Sequence, residues 1–409
     1  MLSIYQGIPK DAKLLVYQSI LPSVAYGLFF TDISYFLTTV QGLSYGFMGI
    51  VITIMGIATF AASIPLGLAA DRYGRKKTLI IGNLVSGVTL VIFAFTTNPA
   101  VLLMAAVLEG VSEAAFSASS GAWLAEKCDS TKRNSVFSFS GFAQSLSFGI
   151  GSLAIPGIAI FEFVGFSNRI SHGLLYATFA ILCLLSTLIL IRIPESYKAK
   201  KRVDPLSNTD SALRNKQSMR IIAKYVISSA IIAVGAGMVV PLMTAWLHLR
   251  YGIPDTISGP ILGIVSIVIA VATLAGPPLA KRFGLVKAIV LTQAASTIFM
   301  FATPLSSSYI IASSTYTVRA FLMNMASPLS QSMIMGLVEE RDRGMASGIN
   351  TALWRLPNAL STFVGAYLMS VGLLAAPFFI ASILYTISIA LFWFYFRKTK
   401  LPEEQCSKE

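Results

Sequence analysis

The sequence predicts an all-α integral membrane protein. Three observations carry that prediction: an excess of apolar side chains, a shortage of charge, and long hydrophobic runs at regular intervals. Of the 409 residues, 55% are hydrophobic and 12% are charged, and the mean hydropathy is +0.73. A soluble domain carries roughly a quarter charged residues, so this chain has too few polar side chains to cover a water-facing surface. Its apolar side chains must meet lipid.

A helix crosses the hydrocarbon with about 20 apolar residues, more when tilted. On that measure twelve spans are expected. They cover residues 14–40, 44–70, 78–97, 100–126, 134–161 and 172–193, then 221–249, 257–280, 287–304, 309–338, 344–370 and 374–396. The first run follows Lys10 and Lys13, is much longer than a signal-peptide core and lacks a small-residue cleavage site behind it, so it is expected to remain as a helix.

The net charge of +13 raises the question of nucleic acid, and its placement answers it. All the Lys and Arg residues except Arg169, Arg250, Arg319 and Arg355 fall in the two tails or in alternate loops and adjoining helix ends. That is the cytoplasmic pattern of the positive-inside rule. Loops 41–43, 98–99, 305–308 and 371–373 carry no charge, and only the loops with Glu162 and Arg169, and with Arg250 and Asp255, carry any on the opposite side. The reading is a multi-pass protein of the cell membrane with both termini in the cytoplasm, the lipid bilayer as its partner and no nucleic acid. Cys128, Cys183 and Cys406 are isolated and imply neither disulfide nor metal. No cofactor is expected.

The most polar stretch, 194–220, divides the chain into an expected bundle 1–193, a cytoplasmic linker 194–220, a second bundle 221–397 and a tail 398–409. The halves read as distant copies. Asp71-Arg72-Tyr73-Gly74 follows span two and Lys281-Arg282-Phe283-Gly284 follows span eight. Glu126 and Arg133 flank the turn after span four, as Glu340 and Arg343 flank that after span ten. Duplicated helix sets are how many secondary transporters build a central site.

One segment is more specific. Gly67, three residues, Asp71-Arg72, one residue, then Gly74-Arg75-Lys76-Lys77 resembles the signature loop of the major facilitator superfamily, in the place between spans two and three where that family has it. The likeness extends over the chain as two pseudo-symmetric six-helix bundles with a degenerate second copy of the loop. It implies a secondary transporter working by alternating access, with this loop as a cytoplasmic gate made and broken during the cycle. In physical terms, Gly67 would let two helices approach and Gly74 permits a tight turn. Asp71 can face a helix N-terminus, and Arg72 and Arg75 can pair with Glu126 and Asp129. In the second copy Lys281 replaces the acid and Leu285 the arginine. The glycines of span five (Gly141, Gly149, Gly151, Pro156-Gly157) do not form the family's antiporter pattern.

Ionisable groups at membrane depth are costly and point to function. Asp32, Glu109, Glu113, Arg319 and Arg355 are such groups, and in the family spans one, four, seven and ten line the cavity. Glu109 and Glu113 share a helix face about 6 Å apart along the axis, so both cannot ionise cheaply and one should hold a proton. Asp32, Glu109 and Glu113 are the proton-coupling candidates, with structural pairing as the plainer reading. Arg319 and Arg355 can bind an anionic substrate group or pair internally. Tyr26, Phe36 and Trp246 can cradle an apolar substrate. His172 and His248 read as interfacial residues. Pro241, Pro328 and Pro357 are expected to kink their spans.

The expected protein is therefore a monomeric, proton-coupled transporter of a small organic solute, with efflux of amphipathic compounds ahead of uptake of an organic anion. A non-transporting membrane sensor is the reading from another class. No nucleophile–base pairing or phosphate loop suggests an enzyme.

Overall fold

A computed structural model of the chain describes residues 9–127, 130–194, 210–337 and 343–397. Every regular element among them is helical. In order these are α1 (Lys10–Tyr35), continued by a π-helical turn Phe36–Val40, then α2 (Tyr45–Tyr73), α3 (Arg75–Phe95), α4 (Pro99–Glu126), α5 (Ser130–Leu153), the short α6 (Ile158–Phe163) and α7 (Asn168–Ile191). There follow α8 (Asp210–Gly237), α9 (Met243–Tyr251), α10 (Asp255–Phe283), α11 (Leu285–Ala302), α12 (Tyr309–Leu337), α13 (Arg343–Ser370) and α14 (Ala376–Phe396). Among the described residues, ten stretches are long and apolar enough to cross a membrane. Helices α12 and α13 have the length, 29 and 28 residues. A continuous helix satisfies its own backbone polar groups, as lipid requires.

The ends of these helices are written locally. The Ser44 hydroxyl accepts the Phe47 N–H at 3.1 Å to open α2, and the Asn98 side chain accepts the Ala100 N–H at 3.0 Å with Pro99 in the first helical position of α4; both are standard N-terminal caps. The turn between α2 and α3 places Gly74 at φ +104° and ψ 138°, and the turn between α10 and α11 places Gly284 at φ +81° and ψ 154°. These are backbone conformations that favour glycine. The two copies of the loop thus share one turn geometry. Arg72 also lies over the Tyr73 ring at 5.3 Å, as Arg282 lies over Phe283 at 5.4 Å.

Pro241 sits where α8 gives way to a short 3-10 turn and α9, whereas α12 and α13 run through Pro328 and Pro357.

The chain forms two compact units. The first comprises residues 1–199, 241–270 and 362–372, and the second comprises 200–240, 271–361 and 373–409. This division follows packing rather than the polar linker, because α10 and α13 each contribute one end to the first unit. Most of the 194–220 linker and all of the 398–409 tail lie outside the described residues.

In the first unit α1 packs on α5 and α7, α4 on α2 and α3, and α3 on α7. Glycine makes several of these approaches possible. A Cβ on Gly27 or Gly151 would collide with the backbone at Phe148 or Val24 across the α1–α5 contact, and one on Gly110 with Met55 across α2–α4. Gly149 and Gly263 face each other, a Cβ on either falling 2.8 Å from the carbonyl oxygen of the other. Buried hydroxyls and amides add cross-helix hydrogen bonds. Ser152 donates to the Gly27 carbonyl at 3.1 Å, Ser112 to the Gly82 carbonyl at 2.8 Å, and the Asn83 amide to Ser186 Oγ at 2.8 Å.

In the second unit α8 and α11 pack on α14, and α11 on α12. Its core includes Ile222, Val226, Ile289, Leu329, Met333 and Phe392. Between α11 and α14 runs an apolar groove whose Leu291, Ile298 and Ile383 are half or more exposed, as side chains facing lipid tails would be.

Candidate functional site

Among the described residues, three constellations of charge lie in the first unit and one in the second. At the end of the bundle that carries the Asp71 loop, Arg75 Nη1 lies 2.8 Å from Glu126 Oε1, with side-chain exposures of 20% and 52%. A pair so open to water contributes about 0–1 kcal/mol. That is too little to hold the fold, and it suits a contact that must break. Lys76 Nζ donates to the Ile191 and Ile193 carbonyls at 2.8 and 2.9 Å. It thereby satisfies carbonyl groups left free at the C-terminus of α7 and places a cation at the negative end of its dipole. Lys127 Nζ bonds Asp11 Oδ2 at 3.1 Å and the Pro194 carbonyl at 2.7 Å.

Asp129 lies outside the described residues, as do the side chains of Asp71 and Arg133. At Gly67 a Cβ would meet nothing within 4 Å among the described residues. The close approaches lie deeper, at Gly27, Gly110 and Gly151.

At mid-span, Glu109 is 2% exposed. Ser86 donates to its Oε1 at 3.0 Å, and Thr89 Oγ1 contacts its Oε2. One turn on, Glu113 Oε2 lies 3.2 Å from Thr59 Oγ1. The expectation that the two acids share one site is modified, for Glu109 is served by hydroxyls of α3 and Glu113 by one of α2. The threonines have a common geometry. Thr89 Oγ1 also lies 2.9 Å from the Ser86 carbonyl, and Thr59 Oγ1 2.8 Å from the Met55 carbonyl. A hydroxyl has one hydrogen and can accept as well as donate. When the carboxylate is ionised the threonine hydrogen turns to it. When the carboxyl is protonated it donates to the threonine, whose hydrogen turns to the carbonyl. Both charge states are satisfied by a rotation about one C–O bond.

Toward the opposite end of the bundle, Asp32, His172 and Asp255 are 1%, 0% and 2% exposed. His172 Nε2 lies 2.9 Å from Asp255 Oδ2, and the Tyr176 hydroxyl donates to Asp32 Oδ2 at 3.0 Å. His172 Nδ1 lies 2.8 Å from the Asn168 carbonyl, which can only accept, so that nitrogen carries its hydrogen. Phe36, fully buried, stacks on His172 at 5.4 Å and packs on Tyr176 at 4.9 Å. Sequence reasoning singled out Asp32 and passed over its partners. The available signal was depth: Asp255 opens α10 and His172 lies in the first turns of α7, both level with the later part of α1.

In the second unit Arg319 is 4% exposed. Its guanidinium lies 5.7 Å from the Tyr316 ring and 5.4 Å from the Tyr385 ring and bonds the Tyr385 hydroxyl. Its Nε is buried with no hydrogen-bond partner among the described residues. Arg355 is partly buried on α13. Tyr26 stacks on Phe30 at 5.4 Å, and Trp246 is fully buried against Tyr251 at 5.7 Å.

The sequence profile of the Major Facilitator Superfamily matches residues 19–323 and again 225–409. The chain belongs to the Major Facilitator Superfamily. Among curated members it is 27% identical over 254 residues to the class C tetracycline resistance protein of Escherichia coli, covering 60% of this chain and 61% of that one. It is 24% identical over 359 residues to multidrug resistance protein 2 of Bacillus subtilis, covering 86% and 87%. Among solved superfamily members, the inward-open xylose transporter of E. coli superposes with a TM-score of 0.71 over 97% of this chain and 99% of its own, at 18% identity. The fold is accordingly the twelve-helix major facilitator fold, and the protein is a multi-pass membrane transporter of small molecules rather than an enzyme.

Proposed function

We propose that this transporter is a proton-coupled exporter of amphipathic compounds, resident in the cell membrane as a monomer with both termini in the cytoplasm. The observation that carries the coupling is the pairing of Glu109 with Thr89 and of Glu113 with Thr59, in which a buried carboxyl can gain or lose a proton without leaving a hydroxyl unsatisfied. Proton carriage by an intramembrane carboxyl is a common use of so costly a group. Export of amphipathic compounds is supported by the tetracycline and multidrug resistance proteins to which the chain is similar. The sequence halves 1–193 and 221–397 are the parts that alternate, and the 194–220 linker joins them.

The test uses everted membrane vesicles acidified by respiration and loaded with a pH-sensitive dye. Addition of a lipophilic amine or a tetracycline should discharge the proton gradient in vesicles holding the protein and not in controls. A gradient untouched by any amphipath would defeat the reading. Proton uptake from the medium by right-side-out vesicles on addition of small organic anions, with no response to amphipaths in either orientation, would favour a second reading, uptake of an organic anion at Arg319, which the buried guanidinium Nε without a partner among the described residues supports.

The gating role of the Arg75–Glu126 pair is part of the proposal. Glu126→Gln should change turnover by roughly two- to fivefold while leaving the melting temperature within about a degree, given the small worth of an exposed pair. A drop in stability with unchanged turnover would make the pair structural.

A further inference from the structure

We infer that Asp32, His172 and Asp255 form a binding site for one divalent transition-metal ion, at the end of the first unit away from the Asp71 loop. The three side chains come from α1, α7 and α10, and one ligand atom from each lies within 4.8 Å of the others. Ligands of a first-row metal at bond lengths of roughly 2.0–2.2 Å stand about 3–4 Å apart, so the three atoms must draw in by up to about 1 Å to close on an ion. One imidazole with two carboxylates is a donor set for Zn²⁺, Mn²⁺ or Fe²⁺.

Two further observations point to a cation. The first is the orientation of His172. Its Nδ1–H is spent on the Asn168 carbonyl, which is how a metal-bound histidine is usually held, and this leaves Nε2 facing Asp255. At 2.9 Å that nitrogen and the carboxylate oxygen must share a cation, either a proton or a metal ion. The second is Asp32. Its Oδ2 is served by Tyr176, but its Oδ1 is buried with no hydrogen-bond partner among the described residues. An imidazolium paired with Asp255 would meet the first observation, and the second would then need a further proton on Asp32. A dication meets both, and it neutralises two carboxylates whose joint burial is otherwise costly. Phe36 and Tyr176 close the walls. Because α10 comes from the second half of the sequence and α1 and α7 from the first, an ion here fastens the two halves at this end of the first unit.

The site is independent of the proton-coupling reading, and so is its test. The purified full-length protein in detergent, stripped with chelator, is titrated with Mn²⁺ and followed by electron paramagnetic resonance. The expected result is one bound ion per chain with nitrogen modulation from a single imidazole in the pulsed spectrum. His172→Gln and Asp255→Asn should each weaken binding by at least about tenfold, the lower bound seen even for losses outside the ligand shell. Failure to bind Mn²⁺ saturably, bound Mn²⁺ without nitrogen modulation, or equal binding by both variants would each overturn the inference. The modulation is read on the wild-type protein, so the result stands even if a variant does not fold.

Discussion

Replacing Glu109 by glutamine should abolish proton movement driven by substrate while leaving a folded protein. Glutamine matches the size of the acid and offers the same carbonyl oxygen to Ser86 or Thr89, whose hydroxyls serve Glu109 now. The cross-helix bonds between α3 and α4 therefore survive in kind, and thermal stability should stay near that of the parent. What is lost is the exchangeable proton. Gradient discharge in vesicles should fall by about tenfold or more, a barrier increase of at least roughly 1.4 kcal/mol, and the loss should hold across pH because glutamine does not titrate. If the variant still moves protons at the parental rate, Glu109 is a helix fastener and the carrier is elsewhere. Glu113→Gln is the companion measurement, since its Thr59 partner has the same two-way geometry.

Gly151→Val should cost more than any charge change, and should do so through stability. The Cβ it adds would overlap the Val24 carbonyl and lie 2.9 Å from the Leu28 nitrogen. Those are backbone atoms of α1, which cannot swing aside as a side chain can. The α1–α5 contact must open, and with it the Ser152–Gly27 hydrogen bond and the 2.7 Å contact between Thr31 and Ser152. Overpacking of this kind costs about 1–3 kcal/mol, and its backbone target argues for the upper end. The yield of folded, monodisperse protein and its apparent melting point should both fall. The control is Gly141→Val on the same helix, where a Cβ would meet nothing within 4 Å among the described residues. Similar losses in both would mean that valine acts through helix propensity rather than collision.

Much of the architecture was legible because lipid imposes a simple grammar. Runs of about 20 apolar residues must be helices, and cations sort to one side. Gly74 was legible as a turn position because glycine admits positive φ, although the loop expected over 71–77 is a single residue between α2 and α3. Glu109 and Glu113 were legible because charge at that depth is rare enough to stand out. Their separation onto α3 and α2 was not, since four-residue spacing fixes the side of α4 but not which neighbour supplies hydroxyls. The Lys76 contacts join positions 115 and 117 apart in sequence, and no local pattern announces them. His172 and Asp255 were passed over for a related reason. Each reads alone as a polar residue near a water-facing helix end, and only packing of α7 and α10 beside α1 makes them a buried cluster.

The turns at Gly74 and Gly284 differ by 23° in φ and 16° in ψ, although the residues around them have diverged from Asp to Lys and from Arg to Leu. The two loops keep nearly one bend while differing in electrical character. Reversing the chain is a demand on both helix pairs alike, whereas the gate proposed above draws its charges from the first loop alone. An asymmetric gate can thus stand on a symmetric pair of turns.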